Sequence, residues 1–362
     1  MKIIINQNKL QLAVRSVERV VSKNVSLPIL NTILIKTEGG RVKLTTTNLE
    51  VGIHYFIGAK IEEEGVIAVP ARVFSEFIGN IQDEKITLST ERNTLLVNSE
   101  HYQTKILGMG AEEFPIIPTL HNAIEFKIPV TVLKQALGSV LDSTSLLETR
   151  PELTGVFIAV EPTSLTCAAT DSFRLSEYVA AVKTGASKSF ILPRTTALEV
   201  MRLASEHEGG AEIAVSENQI SVRGDDFELI SRLIDGRYPE YKKIIPEKYT
   251  QEVTVGKQEL ERAVRMASIF SSSISDLLVK VSKTSMVLTA KNSDRGEIDA
   301  QLPCSGTTSP FEVSVNYRYL LDGLKVISAG DVILGYTGPG SPLVVRGAGQ
   351  DHQLYVIMPL RT

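Results

Sequence analysis

Apolar positions recur along this chain in two rhythms that alternate in a fixed order. Residues 8–23 place Leu10, Ala13, Val14, Val17, Val20 and Val21 at steps of three and four, the spacing of one helical face. The rhythm returns at 131–143 (Leu133, Leu137, Val140, Leu141) and at 257–271 (Leu260, Ala263, Val264, Ala267, Phe270). A short apolar strand precedes each, at 2–5, 125–128 and 252–255. A second set of helices is predicted at 71–81, 194–205 and 316–327. Each of these follows a strand and a sharp entry, and each opens with an arginine: Val69-Pro70-Ala71-Arg72, Leu192-Pro193-Arg194 and Val315-Asn316-Tyr317-Arg318. Proline suits a helix start, where its missing N–H would be unpaired anyway. Elsewhere the rhythm shortens to two, as in 32–37 and 42–47 around Gly39-Gly40, which predicts hairpin strands.

The order strand, helix, several strands, helix, three strands therefore occurs three times, and a repeat is the first reading of such a pattern. Thr170-Asp171-Ser172-Phe173-Arg174-Leu175 fills the slot of Thr47-Asn48-Leu49-Glu50-Val51, and residues 290–296 fill it again. Phe114-Pro115 near the close of the first copy is echoed by Tyr238-Pro239 near the close of the second. The expected domains are 1–120, 121–248 and 249–362, each of an ordinary domain size. Two helices among many hairpin strands predict an α+β fold with antiparallel sheets, not a doubly wound parallel one.

Composition narrows the function. Hydrophobic residues at 43% and charged residues at 22% are those of a folded globular protein. No apolar run reaches the length of a membrane span, and the apolar start Ile3-Ile4-Ile5 is too short for a signal peptide, so the expected location is the cytoplasm. Cys167 and Cys304 lie far apart and are expected as reduced thiols. His54, His101, His121, His207 and His352 show no metal-ligand spacing. Dinucleotide, phosphate-loop and nucleophile-elbow motifs are missing, so no catalytic residue, cofactor or metal is expected and weight moves to a binding protein. A dispersed active site, the enzyme alternative, would show as one cleft of convergent, perturbed groups.

Charge is unevenly placed. The six predicted helices hold thirteen basic and seven acidic residues, while the chain as a whole is −4. Arg15, Arg19 and Lys23 form a stripe at i, i+4 steps opposite the apolar face of the first helix. Positive helices on an acidic protein would present one surface that attracts a polyanion.

The segments Leu27-Pro28-Ile29-Leu30, Val69-Pro70-Ala71-Arg72, Ala169-Thr170-Asp171 with Arg174-Leu175, Leu192-Pro193-Arg194, Asp235-Gly236-Arg237-Tyr238-Pro239-Glu240-Tyr241 and Tyr355-Val356-Ile357-Met358-Pro359-Leu360-Arg361 carry a resemblance. In this order on a three-fold repeat, the chain resembles the bacterial sliding clamps, the beta subunits of DNA polymerase III, over its whole length. The resemblance implies the DNA clamp fold and a head-to-tail homodimer that closes as a six-domain ring around double-stranded DNA. It implies no catalysis, no cofactor and no sequence reading, and partners that include the replicative polymerase and a clamp loader. Partner proteins of the family dock short apolar peptides in a pocket whose matching positions are Arg150, Leu153, Thr170, Arg174, Leu175, Pro239, Lys243, Ile244, Met358, Pro359, Leu360 and Arg361. Ser172-Phe173 stand where many relatives have Gly-His, and Thr362 ends a tail that is usually apolar. The expected DNA-facing set is Arg15, Arg19, Lys23, Arg72, Lys134, Arg194, Arg202 and Arg265. The expected dimer seam joins Thr104, Ile106 and Leu107 to Ile269 and Phe270 of the other chain. A peptide-binding scaffold that never encircles DNA is the competing reading; it leaves the basic helices unexplained.

Overall fold

The computed structural model describes residues 1–21, 27–306 and 309–360. The first third runs β1 (Lys2–Asn6), α1 (Gln7–Glu18), β2 (Thr32–Glu38), β3 (Arg41–Thr47), β4 (Val51–Gly58), β5 (Lys60–Glu63), β6 (Val66–Pro70), α2 (Ala71–Asn80), β7 (Lys85–Glu91), β8 (Thr94–Asn98) and β9 (Gln103–Leu107). The second runs β10 (Ile124–Pro129), α3 (Val130–Val140), β11 (Gly155–Glu161), β12 (Ser164–Thr170), β13 (Arg174–Ala181), β14 (Lys188–Pro193), α4 (Arg194–Glu206), β15 (Gly210–Val215), β16 (Gln219–Arg223) and β17 (Phe227–Arg232). The third runs β18 (Gln251–Gly256), α5 (Lys257–Ser268), β19 (Asp276–Val281), β20 (Ser285–Asn292), β21 (Gly296–Pro303), β22 (Phe311–Asn316), α6 (Tyr317–Val326), β23 (Asp331–Tyr336), β24 (Leu343–Gly347) and β25 (Gln353–Ile357). The α+β repeat is as expected, and the pairings that join the thirds, β17 to β4 and β13 to β25, are antiparallel.

Those pairings divide the chain into two compact units that cut through the middle third: Met1–Val130 with Arg202–Leu233, and Thr131–Met201 with Ile234–Thr362. The first unit holds a five-stranded sheet, β5-β1-β7-β8-β9, and an eight-stranded sheet, β6-β2-β3-β4-β17-β16-β15-β10. The second holds an eight-stranded sheet, β14-β11-β12-β13-β25-β24-β23-β18, and a four-stranded sheet, β21-β20-β19-β22. The two eight-stranded sheets are one construction made twice: four early strands of one third, then the three closing strands and the opening strand of the next.

In the first unit, Leu10, Ala13, Val14 and Val17 of α1 are buried, as their spacing requires. Thr46 Oγ1 donates to Val17 O at 2.8 Å, and Gln7 Nε2 donates to Ile78 O at 3.0 Å, tying α1 to β3 and α2. In the second unit, Leu260, Val264 and Ala267 of α5 share a core with Leu320 and Leu324 of α6 and the fully buried Tyr355. Each such aliphatic side chain contributes roughly 1.5–3 kcal/mol on leaving water.

The helix ends differ from expectation. α1 stops at Glu18, because Val20 N and Val21 N turn back to Val17 O and Glu18 O in tighter three-residue steps. Arg19 is therefore the C-cap, and Lys23 lies outside the described residues. α5 ends at Ser268 with Ile269 as its cap. Pro70 is the N-cap of α2 and not its first helical residue; at α6 the same place is taken by Asn316, whose side chain accepts from Arg318 N at 2.9 Å. With these bounds the helices hold eleven basic and seven acidic residues, a smaller surplus than the sequence pattern suggested.

Candidate functional site

The turn between β12 and β13 is fixed by its own side chains. Thr170 Oγ1 donates to Arg174 O at 2.6 Å and accepts from Ser172 N at 3.1 Å, while Asp171 Oδ1 accepts from Phe173 N and Arg174 N, both at 3.0 Å. Ser172 sits at φ 77, the left-handed region that short polar residues tolerate best outside glycine. Arg174 is held on several sides: by Asp171 at 2.9 Å, by Asp322, and by stacking over the Tyr319 ring at 4.6 Å. Beneath the turn, Leu153, Leu175, Tyr238, Tyr241, Val344 and Val356 pack as one buried cluster. Tyr238 Oη accepts from Thr170 N at 3.0 Å, so the segment that crosses the sheet is bonded to the turn. The tail joins the same place, with Met358 N donating to Phe173 O at 2.9 Å and Leu360 N to Ser314 O at 2.8 Å.

The structure therefore brings Leu153, Thr170, Arg174, Leu175 and Met358 to one end of one sheet. Leu153, Thr170 and Leu175 are buried, Pro239, Met358, Pro359 and Leu360 half-buried, and Ile244 is 46% exposed on a single turn beside Lys243. Lys243 pairs with Glu240 and Arg150 with Glu152, both at the surface. Arg361 lies outside the described residues. Phe173, 61% exposed at the tip of the turn, was not singled out as a binding residue from sequence; an aromatic beside a turn-forming Ser was the available signal.

The same turn is built a second time in the first unit. Thr47 Oγ1 donates to Val51 O and accepts from Leu49 N, Asn48 Oδ1 accepts from Glu50 N and Val51 N, and Leu49 has φ 75. There, however, the position of Leu175 is Gly52, and Ile117 lies over it so closely that a Cβ on Gly52 would stand 2.6 Å from Ile117 Cδ1.

The residues expected to face DNA separate, among the described residues, into two groups. Arg15, Arg19, Arg72, Lys134 and Arg265 are exposed, with Arg72 lightly tied to Glu76 one helical turn on and Arg265 to Glu261 one turn back. Arg202 departs from expectation: its side chain is 12% exposed, donating to Ser16 O at 2.7 Å and pairing with Glu206. Arg194 likewise turns inward, to Leu141 O and Thr144 Oγ1, and pins the end of α3. Sequence spacing placed both on helices, but only packing reveals which way a guanidinium turns.

At the expected seam, β9 and β21 each end a sheet and keep one edge unpaired among the described residues. Leu107 is 76% and Ile269 52% exposed, and Thr104 and Phe270 are half-buried. Ile106 differs, being buried at 5% exposure in its own unit, because it alternates with Leu107 along β9.

Family models match in chain order: the DNA polymerase III beta subunit N-terminal domain over 1–118, the central domain over 127–240 and the C-terminal domain over 242–361. The chain belongs to the DNA polymerase III beta subunit family. It is 27% identical to the beta sliding clamp of Bacillus subtilis with both chains fully covered, and 27% identical to that of Staphylococcus aureus over 95% of each. The DNA polymerase sliding clamp of Pseudomonas aeruginosa, solved with a ligand, superposes with a TM-score of 0.96 at 26% identity, each chain covered in full. The beta subunit of Thermotoga maritima has the same fold, with a TM-score of 0.95 at 24% identity, covering 100% of this chain and 99% of that one.

Outside these sites, this member of the beta-subunit family offers little reactive chemistry. Burial pushes the Cys167 thiol up to about 12, so it holds no thiolate at neutral pH. Among the described residues, Asp83, Glu100 and His101 place three potential metal-ligand atoms within 4.8 Å of one another. The group works as a salt bridge: His101 Nδ1 lies 2.6 Å from Asp83 Oδ1. Hydrogen bonds from Ser99 and His101 hold Asp83 down to about 2, and Asp83 raises His101 above 6.5. The charged pair is present from above the Asp83 value up to pH 6.5, fades as pH rises through the raised histidine value, and is lost in acid as Asp83 protonates. Asp83→Asn returns the His101 titration, followed by NMR, toward 6.5; an unmoved midpoint would show that Asp83 is not the cause.

Proposed function

We propose that this beta-subunit family member is a sliding clamp that encircles duplex DNA as a head-to-tail homodimer and tethers the replicative polymerase for processive synthesis. It performs no chemistry of its own and acts in the cytoplasm, with three domains bounded near 120 and 248. The observation that carries the reading is the three domain matches laid end to end across the whole chain.

Strand order supports the dimer independently. In both eight-stranded sheets the fourth strand of one repeat pairs with the last strand of the next, β4 with β17 and β13 with β25. The third such couple is β21 with β9, and both keep free edges. Joining β21 of one chain to β9 of another would give β22-β19-β20-β21-β9-β8-β7-β1-β5, the same eight-strand order with β5 added at its end. A free strand edge is a liability that pairing removes.

The exposed Arg15, Arg19, Arg72, Lys134 and Arg265 are the cations we assign to DNA. Held near phosphates and reading no base edge, they attract without fixing a register, so the protein can slide. Arg15→Glu with Arg19→Glu is expected to reduce retention on nicked circular DNA at least tenfold at 100 mM salt, with the dimer intact. Gel filtration of loaded circles measures it, and undiminished retention would place DNA away from α1. A scaffold that never encircles DNA would instead show no retention on circles for the parent protein either.

The partner peptide is assigned to the surface around Leu153, Thr170, Arg174, Leu175, Pro239, Ile244 and the tail 358–360. Apolar walls with a few fixed polar groups suit capture of a short apolar segment.

A further inference from the structure

On the face of the first unit's eight-stranded sheet that lies away from α1, one row of side chains runs straight across seven strands. Register places Leu34 beside Thr45, Thr45 beside His54, His54 beside Glu228, and then Arg223, Glu212 and Lys127 in turn. Between this face and residues 111–123 lies a cavity of about 680 Å3, a size that suits a small organic ligand. Leu34, Ile213, Ala214 and Ile230 line it from the sheet, and Phe114 and Leu120 from the crossing segment.

The second unit shows what the equivalent space accommodates. There Leu34 is replaced by Phe157, Thr45 by Ala168 and His54 by Glu177, in the same register. Phe157 stacks on Tyr238 at 5.1 Å, and Tyr241 donates its hydroxyl to buried Glu177 at 2.5 Å. Tyr241 stands three residues after Tyr238. Three residues after Phe114 the first unit has Ile117, which lies on Gly52. The tyrosine that fills the second unit thus has no aromatic counterpart in the first.

What remains is a polar group with one side unused. His54 is 9% exposed and lines the cavity; its Nδ1 lies 2.9 Å from Thr45 Oγ1, and Nε2 has no hydrogen-bond partner among the described residues. Burial, with Lys43 nearby, brings its imidazole down to about 4, so it is neutral at physiological pH. If Thr45 donates to Nδ1, then Nε2–H donates outward; in the other tautomer Nε2 accepts. A hydroxyl satisfies either state. The charges around the cavity neutralise one another, with Lys127 and Glu212 at 2.6 Å, Arg223 and Glu228 at 2.7 Å, and Lys36 and Glu38 at 3.0 Å. Glu125 and Lys43 complete the lining charges with one of each sign, so the wall carries no net charge to draw an ion.

We propose that the first unit carries a binding site for a neutral, largely apolar molecule bearing a phenol-like hydroxyl, seated under residues 111–123 with that hydroxyl on His54 Nε2. The probe is 4-phenylphenol, with biphenyl-4-carboxylate as its charged counterpart, titrated into the full chain by calorimetry. One phenol per chain is expected, with the carboxylate at least tenfold weaker. Ala214→Phe fills the floor and Ala123→Trp fills the cavity from the segment side, leaving the sheet untouched; each is expected to weaken the phenol at least tenfold. His54→Phe keeps the ring and removes the nitrogen, and is expected to cost about tenfold. Unchanged affinity in the fillings that retain the parent melting temperature overturns the site. Equal binding of the carboxylate overturns the ligand class. Loss of phenol binding on removing residues 358–362 would move the ligand to the other unit and overturn the assignment.

Discussion

Deleting residues 358–362 is expected to lower affinity for a polymerase-derived apolar peptide by on the order of a hundredfold while the melting temperature moves by only a few degrees. β25 ends at Ile357, which is fully buried, so the deletion stops short of the core. Met358 and Leu360 are half-buried at the rim, tied down by their backbone N–H groups to Phe173 O and Ser314 O. Two apolar side chains in a peptide-lined wall contribute together about 3 kcal/mol. At about 1.4 kcal/mol per tenfold, that is the hundredfold stated. Fluorescence anisotropy with a labelled peptide reads it directly. Parent-like affinity would show that the tail is no wall of the site, and a collapse in melting temperature would mean the tail holds the fold.

Leu107→Asp combined with Ile269→Asp is expected to turn the dimer into folded monomers. Both side chains are exposed in the single chain, so neither substitution removes a core contact. Each carboxylate carried into the seam costs about 2 kcal/mol or more. The pair weakens association by a factor on the order of a thousand. Light scattering at micromolar protein separates the outcomes, and a dimer surviving both charges would put the seam elsewhere. Ile106→Asp behaves differently. Its side chain is in the core of its own unit, so the change costs roughly 3–5 kcal/mol of stability and gives an unfolding first unit, not a clean monomer.

These residues also show how far sequence reasoning reaches. Periodicity located all six helices, since Leu10, Ala13, Val14 and Val17 could face only a core, and the three-fold order carried the strands with it. Helix ends were less visible, because α1 stops where backbone N–H groups tighten at Val20 and Val21, an event with no composition of its own. The turn that opens β13 was legible from Thr170, Asp171 and Arg174, whose side chains bond locally. Arg194 and Arg202 were not, since their partners Leu141 and Ser16 are 53 and 186 positions away. The cavity over His54 was hidden for a related reason: its significance comes from comparison with Tyr241 across two folded sheets.

Ile117 lying on Gly52 has a consequence for traffic on DNA. The turn that frames the proposed peptide site is built again in the first unit, yet there the chain's own Ile117 lies over it. On the clamp reading a dimer then has two vacancies and not four. A polymerase seated in one leaves a single berth for a repair enzyme. A third arrival must wait for a departure, so the order in which enzymes reach a lesion is governed by how briefly each stays.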